Sequence, residues 1–229
     1  MTKRTLDYTC LSQTALFKQV SSQQVERMVE CLGAQLRSYA KGEYICHAGE
    51  SVKALGLVLR GSVRIENNDV WGNTTVLSVV EKGSVFVEEY AALSDEPLLV
   101  DVVAAQDCEV LFIDTIRICS TCERRCPWHT TVNRNLLGII AEKNLILTRR
   151  ISHSAPRTIH AKLLSYLSTQ ALRQGSDEFD IPFTRQQLAD YLCVDRSALC
   201  TELGKMQREG LLETRRNHFV LTKRFVKTV

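Results

Sequence analysis

The stretch TRQQLADYLCVDRSALCTELGKMQREGLLETRRNHFVLTK, residues 184–223, contains two short helical patterns separated by a tight turn. Thr184, with Gln187 three residues later, is typical of a capping box and predicts the start of the first helix. Asp195 is a typical N-cap residue and predicts the start of the second helix directly after the turn. The apolar residues that fall on one face of each helix are Leu188, Ala189, Leu192, Leu199, Leu203 and Met206. The order predicts a helix-turn-helix, followed by a small basic hairpin, or wing, around RRNH.

Polar side chains of this segment are of the types that contact DNA. Two lie at the N-terminus of the first helix, which suits phosphate binding. Two lie in the first exposed turn of the second helix, where base edges would be met in the major groove, and two lie in the wing. The residues predicted on these grounds to contact DNA are Thr184, Arg185, Arg196, Ser197, Arg215 and Arg216.

Charge is distributed unevenly along the chain, whose net charge is +3. Residues 150–229 carry 13 Lys and Arg against 8 Asp and Glu, whereas residues 1–149 carry 16 against 18. A basic C-terminal third favours polyanion binding over the alternative, which is a helical hairpin without a DNA role.

Residues 36–114 consist of short apolar or alternating runs of four to seven residues, separated by glycines. The glycines expected at the turns are Gly42, Gly49, Gly61, Gly72 and Gly83. This spacing predicts an antiparallel β-sandwich or barrel. In front of it, SSQQVERMVECLGAQL, residues 21–36, repeats apolar residues three or four apart and predicts a helix opened by a Ser cap.

Residues 127–153 predict one long helix of about 27 residues, or about 40 Å, with Pro127 at its first position. An apolar stripe on so long a helix packs either against a second copy or in a groove of its own chain, and the heptad-like spacing favours a dimer seam. The residues assigned to that seam are Val132, Leu136, Ile139, Ile140, Leu147 and Ile151. Pro156 ends the helix, and a further helix that ends at Gly175 precedes a short strand.

A β-roll, a long helix and a winged helix-turn-helix in this order resemble the Crp/Fnr superfamily of bacterial transcription regulators. The resemblance is carried by AKGEYICHAGE and LGLVLRGSVRI in the roll, by FVEEYAAL at its end, and by residues 183–212. It implies an α+β fold with an antiparallel β-roll of the jelly-roll or cupin type at residues 1–126. A dimerisation helix at 127–153 and a DNA-binding domain at 154–229 follow. The expected partners are double-stranded DNA with a palindromic site, a second copy in a homodimer, and RNA polymerase as a further candidate.

By position, the resemblance places Arg196, Ser197 and Thr201 on the base-facing side of the second helix. The cAMP-binding relative has Arg, Glu and Arg there, so only Arg196 matches. Arginine is the residue best shaped to hold a guanine with two hydrogen bonds. The DNA sequence that this chain prefers is therefore expected to differ from that of the cAMP-binding relative.

The effector region departs from the cAMP-binding pattern. Glu88 stands where those relatives have a glycine, Glu89 keeps their acidic residue, and Leu99 and Val100 replace an Arg-Ser pair. A buried phosphate without a cation costs several kcal/mol, so we expect no cyclic-nucleotide binding. Leu98 and Leu99 leave two alternatives open, an apolar ligand or a filled core. His47 alone in the roll gives no support to a cupin-like enzyme, which needs clustered histidines.

Three cysteines and a histidine are clustered in CSTCERRCPWH, residues 119–129. Cys119, Cys122, Cys126 and His129 are candidate ligands for zinc or an iron–sulfur cluster, provided that the chain folds back within the segment. Alternatively, Cys126 is a redox-active thiol, because the helix N-terminus and the neighbouring arginines favour its thiolate. The third alternative is apolar packing under a connecting loop.

The remaining cysteines give no comparable pattern. The oxygen-sensing Fnr type has its iron–sulfur cysteines near the N-terminus, where this sequence has Cys10 alone, so that mechanism does not transfer. Cys31, Cys46 and Cys108 lie in apolar segments and are predicted to be buried small hydrophobic residues. The sequence has no signal peptide and no segment apolar enough to span a membrane, so we expect a cytoplasmic protein without a disulfide framework or a membrane partner.

The sequence thus predicts a DNA-binding transcription regulator, not an enzyme, with a redox or metal signal arising in residues 119–126. A signal is expected to change the angle between two DNA-binding heads through a hinge at residues 154–156. Two alternatives remain. One is the same regulator with inert cysteines and a small apolar effector in the roll. The other is a nucleotide-binding module that no longer binds DNA.

Overall fold

The computed structural model describes residues 6–69, 71–93, 95–120 and 128–222, and these divide into two compact units. The first unit extends to Glu142 and the second begins at Lys143, so the division falls inside one long helix. The architecture is α+β, as the sequence predicts. The domain boundaries expected at 126/127 and 153/154 remain a prediction.

The first unit contains two four-stranded antiparallel sheets and short helices. The helices are α1 (Tyr8–Ser12), α2 (Ser22–Cys31), α3 (Glu88–Leu93) and α4 (Thr115–Cys119). The strands are β1 (Gln35–Tyr39), β2 (Tyr44–Cys46), β3 (Ala54–Arg60), β4 (Ser62–Asn68), β5 (Thr74–Glu81), β6 (Val85–Phe86), β7 (Asp101–Ala104) and β8 (Cys108–Asp114). One sheet has the order β1-β8-β3-β6 and the other β2-β7-β4-β5, which gives the expected roll.

Strand β8 shows how the cores of this unit are arranged. Cys108 and Val110 point into a core that draws side chains from both sheets, whereas Leu111 and Ile113 point into a core shared with α1 and α2. Successive residues of a strand face opposite sides, so β8 has a hydrophobic core on each face.

Local sequence signals fix the ends of several elements. Ser21 caps α2 in a capping box with Gln24, as predicted. The glycines predicted at turns, Gly42, Gly49, Gly61, Gly72 and Gly83, all have positive φ values. Gly61, between β3 and β4, has φ of 75°, and a Cβ there would lie 2.4 Å from the carbonyl oxygen of Asp107. No other residue fits that turn without a shift of the backbone.

The long helix α5 (Trp128–Ser154) confirms the prediction of one continuous helix after Pro127. No helix among the described residues is long and apolar enough to cross a membrane.

The second unit is built from helices and a small sheet. Its helices beyond α5 are α6 (Ile159–Gln174), α7 (Arg185–Leu192) and α8 (Arg196–Arg208). Its strands are β9 (Glu178–Asp180), β10 (Leu212–Arg215) and β11 (His218–Leu221), in the antiparallel order β10-β11-β9. Gly175 ends α6 in the left-handed conformation, as predicted. The apolar faces of the two helical patterns meet in one core with Leu163, Leu167 and Phe219.

Candidate nucleic-acid interface and sensor residues

Residues 184–208 form the helix pair that the sequence predicts. The hydroxyl of Thr184 accepts a hydrogen bond from the backbone of Gln187, whose side chain accepts one from the backbone of Thr184. Cys193 ends α7 with φ of 51°, in the left-handed region. The carboxylate of Asp195 accepts two backbone N–H groups of the first turn of α8. The turn and both helix starts are therefore held by groups within the motif itself.

Three arginines from three different elements line one groove of about 600 Å³, here called the arginine groove. Arg185 comes from α7, Arg196 from α8, and Arg216 from the turn between β10 and β11. The groove is completed by Ile181, Pro182, Phe183, Thr184, Gln186 and Asn217. Guanidinium groups gathered on one face are suited to phosphates and guanine edges.

The base-facing positions expected on α8 are all exposed. The hydroxyl of Ser197 donates to the carboxylate of Asp195, which together with the backbone N–H groups lowers the pKa of Asp195. The hydroxyl of Thr201 donates to the carbonyl oxygen of Ser197 at 3.0 Å. Within the described part of the chain, Arg196 makes no such hydrogen bond or ion pair. Its guanidinium is therefore the unengaged donor group at the start of α8.

Arg185 has a packing role that the sequence prediction did not include. Its guanidinium lies over the ring of Phe219, with 4.9 Å between Cζ and the ring centroid, and Nη2 donates to Oγ1 of Thr214 at 2.6 Å. Burial lowers the pKa of Arg185. The buried Nη1 has no hydrogen-bond partner among the described residues. Arg185 thus joins α7 to the wing, and its Nη1 amino group is left without a partner among the described residues.

The wing is present as predicted, with Arg215 and Arg216 exposed at its tip. Arg216 has φ of 56°, a left-handed conformation that is uncommon outside glycine. It lies in the turn that reverses the chain between β10 and β11. Only Arg216 of this pair lines the arginine groove.

Two groups of residues belong to this site and were not predicted from the sequence: polar residues that line the groove, and a lysine that holds the turn. Gln186 and Asn217 also line the arginine groove, and both were recognisable as polar neighbours of predicted arginines. Lys162 of α6 donates from Nζ to the carbonyl oxygens of Leu192 and Cys193, at 2.9 and 3.4 Å. A cation on the free carbonyls at the end of α7 stabilises the turn. No local signal connects Lys162 with a turn some thirty positions later in the chain.

The cysteine cluster is described only in part. Cys119 is exposed at the end of α4, and His129 is buried in the first turn of α5. Both ring nitrogens of His129 lack a hydrogen-bond partner among the described residues. Cys122 and Cys126 lie outside the described residues. Within the ranges that the structure describes, no group of three or more His, Cys, Asp or Glu residues is placed to hold a metal ion.

Two isolated cysteines behave as predicted. Cys46 and Cys108 are buried in the core between the two sheets. Burial raises the pKa of Cys46 to about 11 and also raises the pKa of Cys108, so both thiols stay protonated and unreactive near neutral pH. Cys31 is only half-buried. Its prediction as a buried residue is wrong, because it is the last residue of α2 and lies beside the more deeply buried Val29 and Leu32.

The four candidate effector residues do not share one environment. Glu88 and Leu98 are buried, and Leu98 is part of the core between the sheets. Glu89 is exposed, as is Leu99, which keeps 68% of its surface accessible. A cavity of about 510 Å³ in this unit is lined by other residues, which include Arg37, Glu50 and Phe112. The structure therefore does not bring the predicted effector residues together in that cavity.

Helix α5 presents two apolar faces instead of the single one that the sequence suggested. Val132 and Leu136, assigned to the dimer seam, are buried in the core that α1 and α2 share with the first sheet. Ile139 and Ile140 pack partly against that core. The seam assignment of Val132 and Leu136 is thus corrected, because the chain's own first unit already covers them.

A second stripe of α5 is open. Leu147 and Ile151 are 59% and 65% exposed, and Leu137, which was not predicted in the seam, is 66% exposed. Together with Ile140 and Asn144 they follow a spacing of three and four residues, which is the a and d pattern of a coiled coil.

Two family models match the chain. The cyclic nucleotide-binding domain matches residues 36–124, and the Crp-like helix-turn-helix domain matches residues 161–224. No curated protein matches the chain significantly.

Solved structures share the fold over most of the chain. The c-di-GMP-responsive global regulator CLP of Xanthomonas campestris has 20% identity and a TM-score of 0.51, with 87% of this chain and 98% of that chain covered. The OCPA complex of CprK has 14% identity and a TM-score of 0.55, with 86% and 90% covered. The catabolite activator protein of Thermus thermophilus has 22% identity and a TM-score of 0.48, with 91% and 93% covered. At these identities the likeness to CLP and to CprK establishes the fold alone.

Proposed function

The chain belongs to the Crp/Fnr superfamily of DNA-binding transcription regulators, and from this we propose that it reads a palindromic operator as a homodimer. The observation that carries the proposal is the arginine groove. It gathers Arg185, Arg196 and Arg216 from the first helix, the second helix and the wing. These are the three elements that a winged helix-turn-helix brings to DNA.

Each arginine has a distinct part in the proposed complex. Arg196, unengaged at the start of α8, offers two parallel N–H groups to O6 and N7 of a guanine. Arg185 offers its buried Nη1 to a phosphate, and Arg216 at the wing adds a second backbone contact. Thr184 and Ser197 are exposed beside them. The hydroxyl of Thr184 accepts from Gln187 and can donate to a phosphate, whereas the hydroxyl of Ser197 donates to Asp195 and can only accept from a base. Specificity thus depends mainly on Arg196, and affinity on the other two arginines.

The open stripe of α5 supports a homodimer. Leu137, Leu147 and Ile151 offer exposed apolar contacts at a and d positions, and Asn144 occupies an a position between them. Ile140, at the remaining d position, is half-buried against the core of its own chain and offers only part of its surface. A single asparagine at an a position favours a parallel two-stranded pairing in one register, because its amide pairs with the same amide of the partner. A two-fold dimer presents two copies of α8 to successive major grooves, about 34 Å apart, and therefore requires a palindromic site.

His129 supports a signal that arises at residues 119–129. A buried polar group without a partner costs about 1–3 kcal/mol, and an imidazole whose two nitrogens lack protein partners is able to bind a metal ion. Cys119 at the end of α4 and the sequence neighbours Cys122 and Cys126 supply the thiolates that zinc or an iron–sulfur cluster requires. The same thiols would sense oxidants directly if no metal binds.

A cyclic nucleotide or an apolar effector in the roll has less support. Leu99 stands where the resemblance places the cation that a cyclic phosphate needs, and it is exposed, whereas Glu88, in the place of a glycine, is buried. Leu98 is already packed in the core, so it does not offer an open apolar wall.

DNA selection from a random library tests the interface. The wild-type chain is expected to enrich a palindrome with a guanine in each half-site. Arg196→Ala is expected to lose that preference, a cost of about 1–3 kcal/mol per half-site, and to keep weak, salt-sensitive binding. Arg208→Ala, which removes an exposed arginine of α8 outside the groove, is the matched control and should enrich the wild-type sequence. An unchanged preference in Arg196→Ala would exclude α8 as the base-reading helix in this orientation.

Metal analysis and an absorption spectrum of protein purified without oxygen test the signal. Stoichiometric zinc, or iron with a broad visible band, that is lost in both Cys126→Ser and His129→Gln would establish a metal site. A metal-free protein whose DNA binding responds to oxidant, and stops responding in Cys126→Ser, would establish redox sensing. Cys46→Ala is the control for a buried thiol and should leave both results unchanged. Metal-free protein with no oxidant response would refute the signal assigned to this cluster.

A further inference from the structure

A second groove, of about 370 Å³, lies within the second unit and is here called the tyrosine groove. Its lining includes Arg149, Tyr166, Arg173, Pro182, Phe183 and Tyr191. Three of them are aromatic and pack on one another. The ring of Phe183 lies 5.1 Å from that of Tyr191 and 6.0 Å from that of Tyr166, centroid to centroid. The groove therefore has a wall of stacked and tilted rings, which suits a flat apolar group.

Positive charge surrounds this aromatic wall. Arg149 and Arg173 line the groove, and the guanidinium of Arg150 lies over the Tyr191 ring at 6.0 Å from its centroid. Among the described residues, no carboxylate lies within 4.0 Å of any of these three guanidinium groups. Arg149 is close enough to His153 to help lower the pKa of that imidazole, after the larger effect of burial. The excess of positive charge favours an anion.

The hydroxyl group of Tyr166 is the second, independent sign of a ligand. Tyr166 is 1% exposed, and its Oη has no hydrogen-bond partner among the described residues. Burial, followed by the neighbouring phenol of Tyr191, raises the pKa of Tyr166, and nearby Arg173 acts in the opposite direction. The hydroxyl thus remains protonated near neutral pH, close to an arginine of the groove, and can donate. Buried hydroxyl groups are rarely left unpaired in folded proteins.

The nearby phenol of Tyr191 is already engaged. It bonds to Nδ1 of His153 at 2.9 Å, and Nε2 of His153 bonds to Oγ1 of Thr169 at 3.1 Å. The hydroxyl of Thr169 donates to the carbonyl oxygen of Ser165, so it accepts from Nε2–H of His153, and Nδ1 accepts from the Tyr191 hydroxyl. The proton of Tyr191 is therefore used inside the protein, whereas that of Tyr166 is not.

We propose that the tyrosine groove is a binding site for a small aromatic anion, a planar ring that carries a carboxylate or a phosphate. The anionic group lies between Arg149 and Arg173, where it also accepts the hydroxyl proton of Tyr166. The ring lies against Phe183 and Tyr191. The site is separate from the predicted effector residues of the roll and from the cysteine cluster, and it does not depend on either being a sensor.

Occupancy of the site would affect the DNA-binding motif directly. Tyr191 belongs to α7, and Phe183 precedes its N-cap, Thr184. Pro182 and Phe183 line both the tyrosine groove and the arginine groove. A ligand that fixes these two residues therefore restrains one wall of the proposed DNA interface.

Calorimetric titration of the full chain tests the proposal with four compounds: phenyl phosphate, benzoate, inorganic phosphate and the neutral benzamide. Phenyl phosphate and benzoate are expected to bind, and benzamide to bind at least about tenfold more weakly, since it lacks the charge-assisted hydrogen bonds. Binding of inorganic phosphate as tight as that of phenyl phosphate would overturn the aromatic part of the proposal. If neither phenyl phosphate nor benzoate binds at concentrations up to about 10 mM, their binding free energies are weaker than that of a millimolar ligand. That result would overturn the whole proposal.

Variants locate the binding site. Arg173→Gln and Tyr166→Phe are each expected to weaken phenyl phosphate binding about tenfold, the loss typical of one hydrogen bond to a charged group. Arg208→Gln removes the same charge from an exposed arginine of α8 that lines neither groove, and should leave the affinity unchanged. Circular dichroism confirms folding of each variant, and Arg173→Gln, at an exposed position, remains informative if Tyr166→Phe fails to fold. Equal affinity in Arg173→Gln and Arg208→Gln would place the ligand elsewhere.

Discussion

Replacing Leu147 by serine is expected to weaken the proposed dimer by a calculable amount. Leu147 is 59% exposed in the single chain. Full burial of a leucine stabilises by about 1.5–3 kcal/mol, so covering the exposed part contributes about 0.9–1.8 kcal/mol for each copy. Both copies lose the contact in a symmetric dimer, which gives about 2–3.5 kcal/mol, or a dissociation constant about 30- to 300-fold higher.

Sedimentation equilibrium over a concentration series measures this change. Leu145→Ser is the matched control, because Leu145 is 53% exposed on the same helix but lies one position after Asn144, at a b position outside the stripe. Its dissociation constant should stay within about threefold of the wild-type value, since b positions face solvent in a two-stranded coiled coil. Equal effects of the two substitutions, or a dimer that is insensitive to Leu147→Ser, would refute the seam through Leu137, Asn144 and Ile151.

Two further predictions concern the stability of the second unit. Burial lowers the pKa of His153 below its usual 6.5. Above pH 6.5 the imidazole is mostly neutral in the folded and the unfolded chain, so its titration does not change the free energy of unfolding there. Below pH 6.5 the unfolded chain binds a proton that the folded chain excludes, and the free energy of unfolding falls by up to about 1.4 kcal/mol per pH unit. Urea unfolding at pH 7.5 and pH 5.5 checks this: His153→Gln should show a smaller loss than the wild type, and an equal loss would contradict the argument. Cys193→Gly should raise the free energy of unfolding by about 0.5–1 kcal/mol, because glycine relieves a left-handed φ of 51°. Cys200→Gly, in the interior of α8, should lower it by about 1 kcal/mol, and a loss of stability in both variants would disprove the assigned strain.

Signals that act within a few residues made much of the fold predictable. Ser21, Thr184 and Asp195 are recognisable caps, because each supplies an oxygen acceptor to backbone N–H groups two or three residues later. Gly175 is recognisable as a helix end for a similar reason, since its left-handed conformation suits glycine best. The winged helix-turn-helix follows from such local signals together with one apolar face per helix.

Long-range packing set the limit of prediction. Apolar spacing showed that α5 has a covered face but not what covers it, so Val132 and Leu136 were grouped with Leu147 and Ile151 although a different core holds them. The ring of Phe219 under Arg185 could not be foreseen either, because strand β11 begins 33 positions later. The tyrosine groove combines residues of α5, α6, α7 and the segment before α7, and none of these carries a sequence signal for the others.

Strand β8 has a consequence for how this protein tolerates variation. A strand with one solvent-exposed face accepts polar residues at every second position. A mutational scan along such a strand therefore shows tolerance to polar substitution that alternates from one residue to the next. Cys108 and Val110 face one core of the first unit and Leu111 and Ile113 face the other, so neither parity of β8 is free. Substitutions to Asp or Lys should therefore be rejected at each of the positions 110–113 without alternation, whereas the ends of the strand already carry Glu109 and Asp114. Homologues should keep positions 110–113 apolar and vary there in side-chain size.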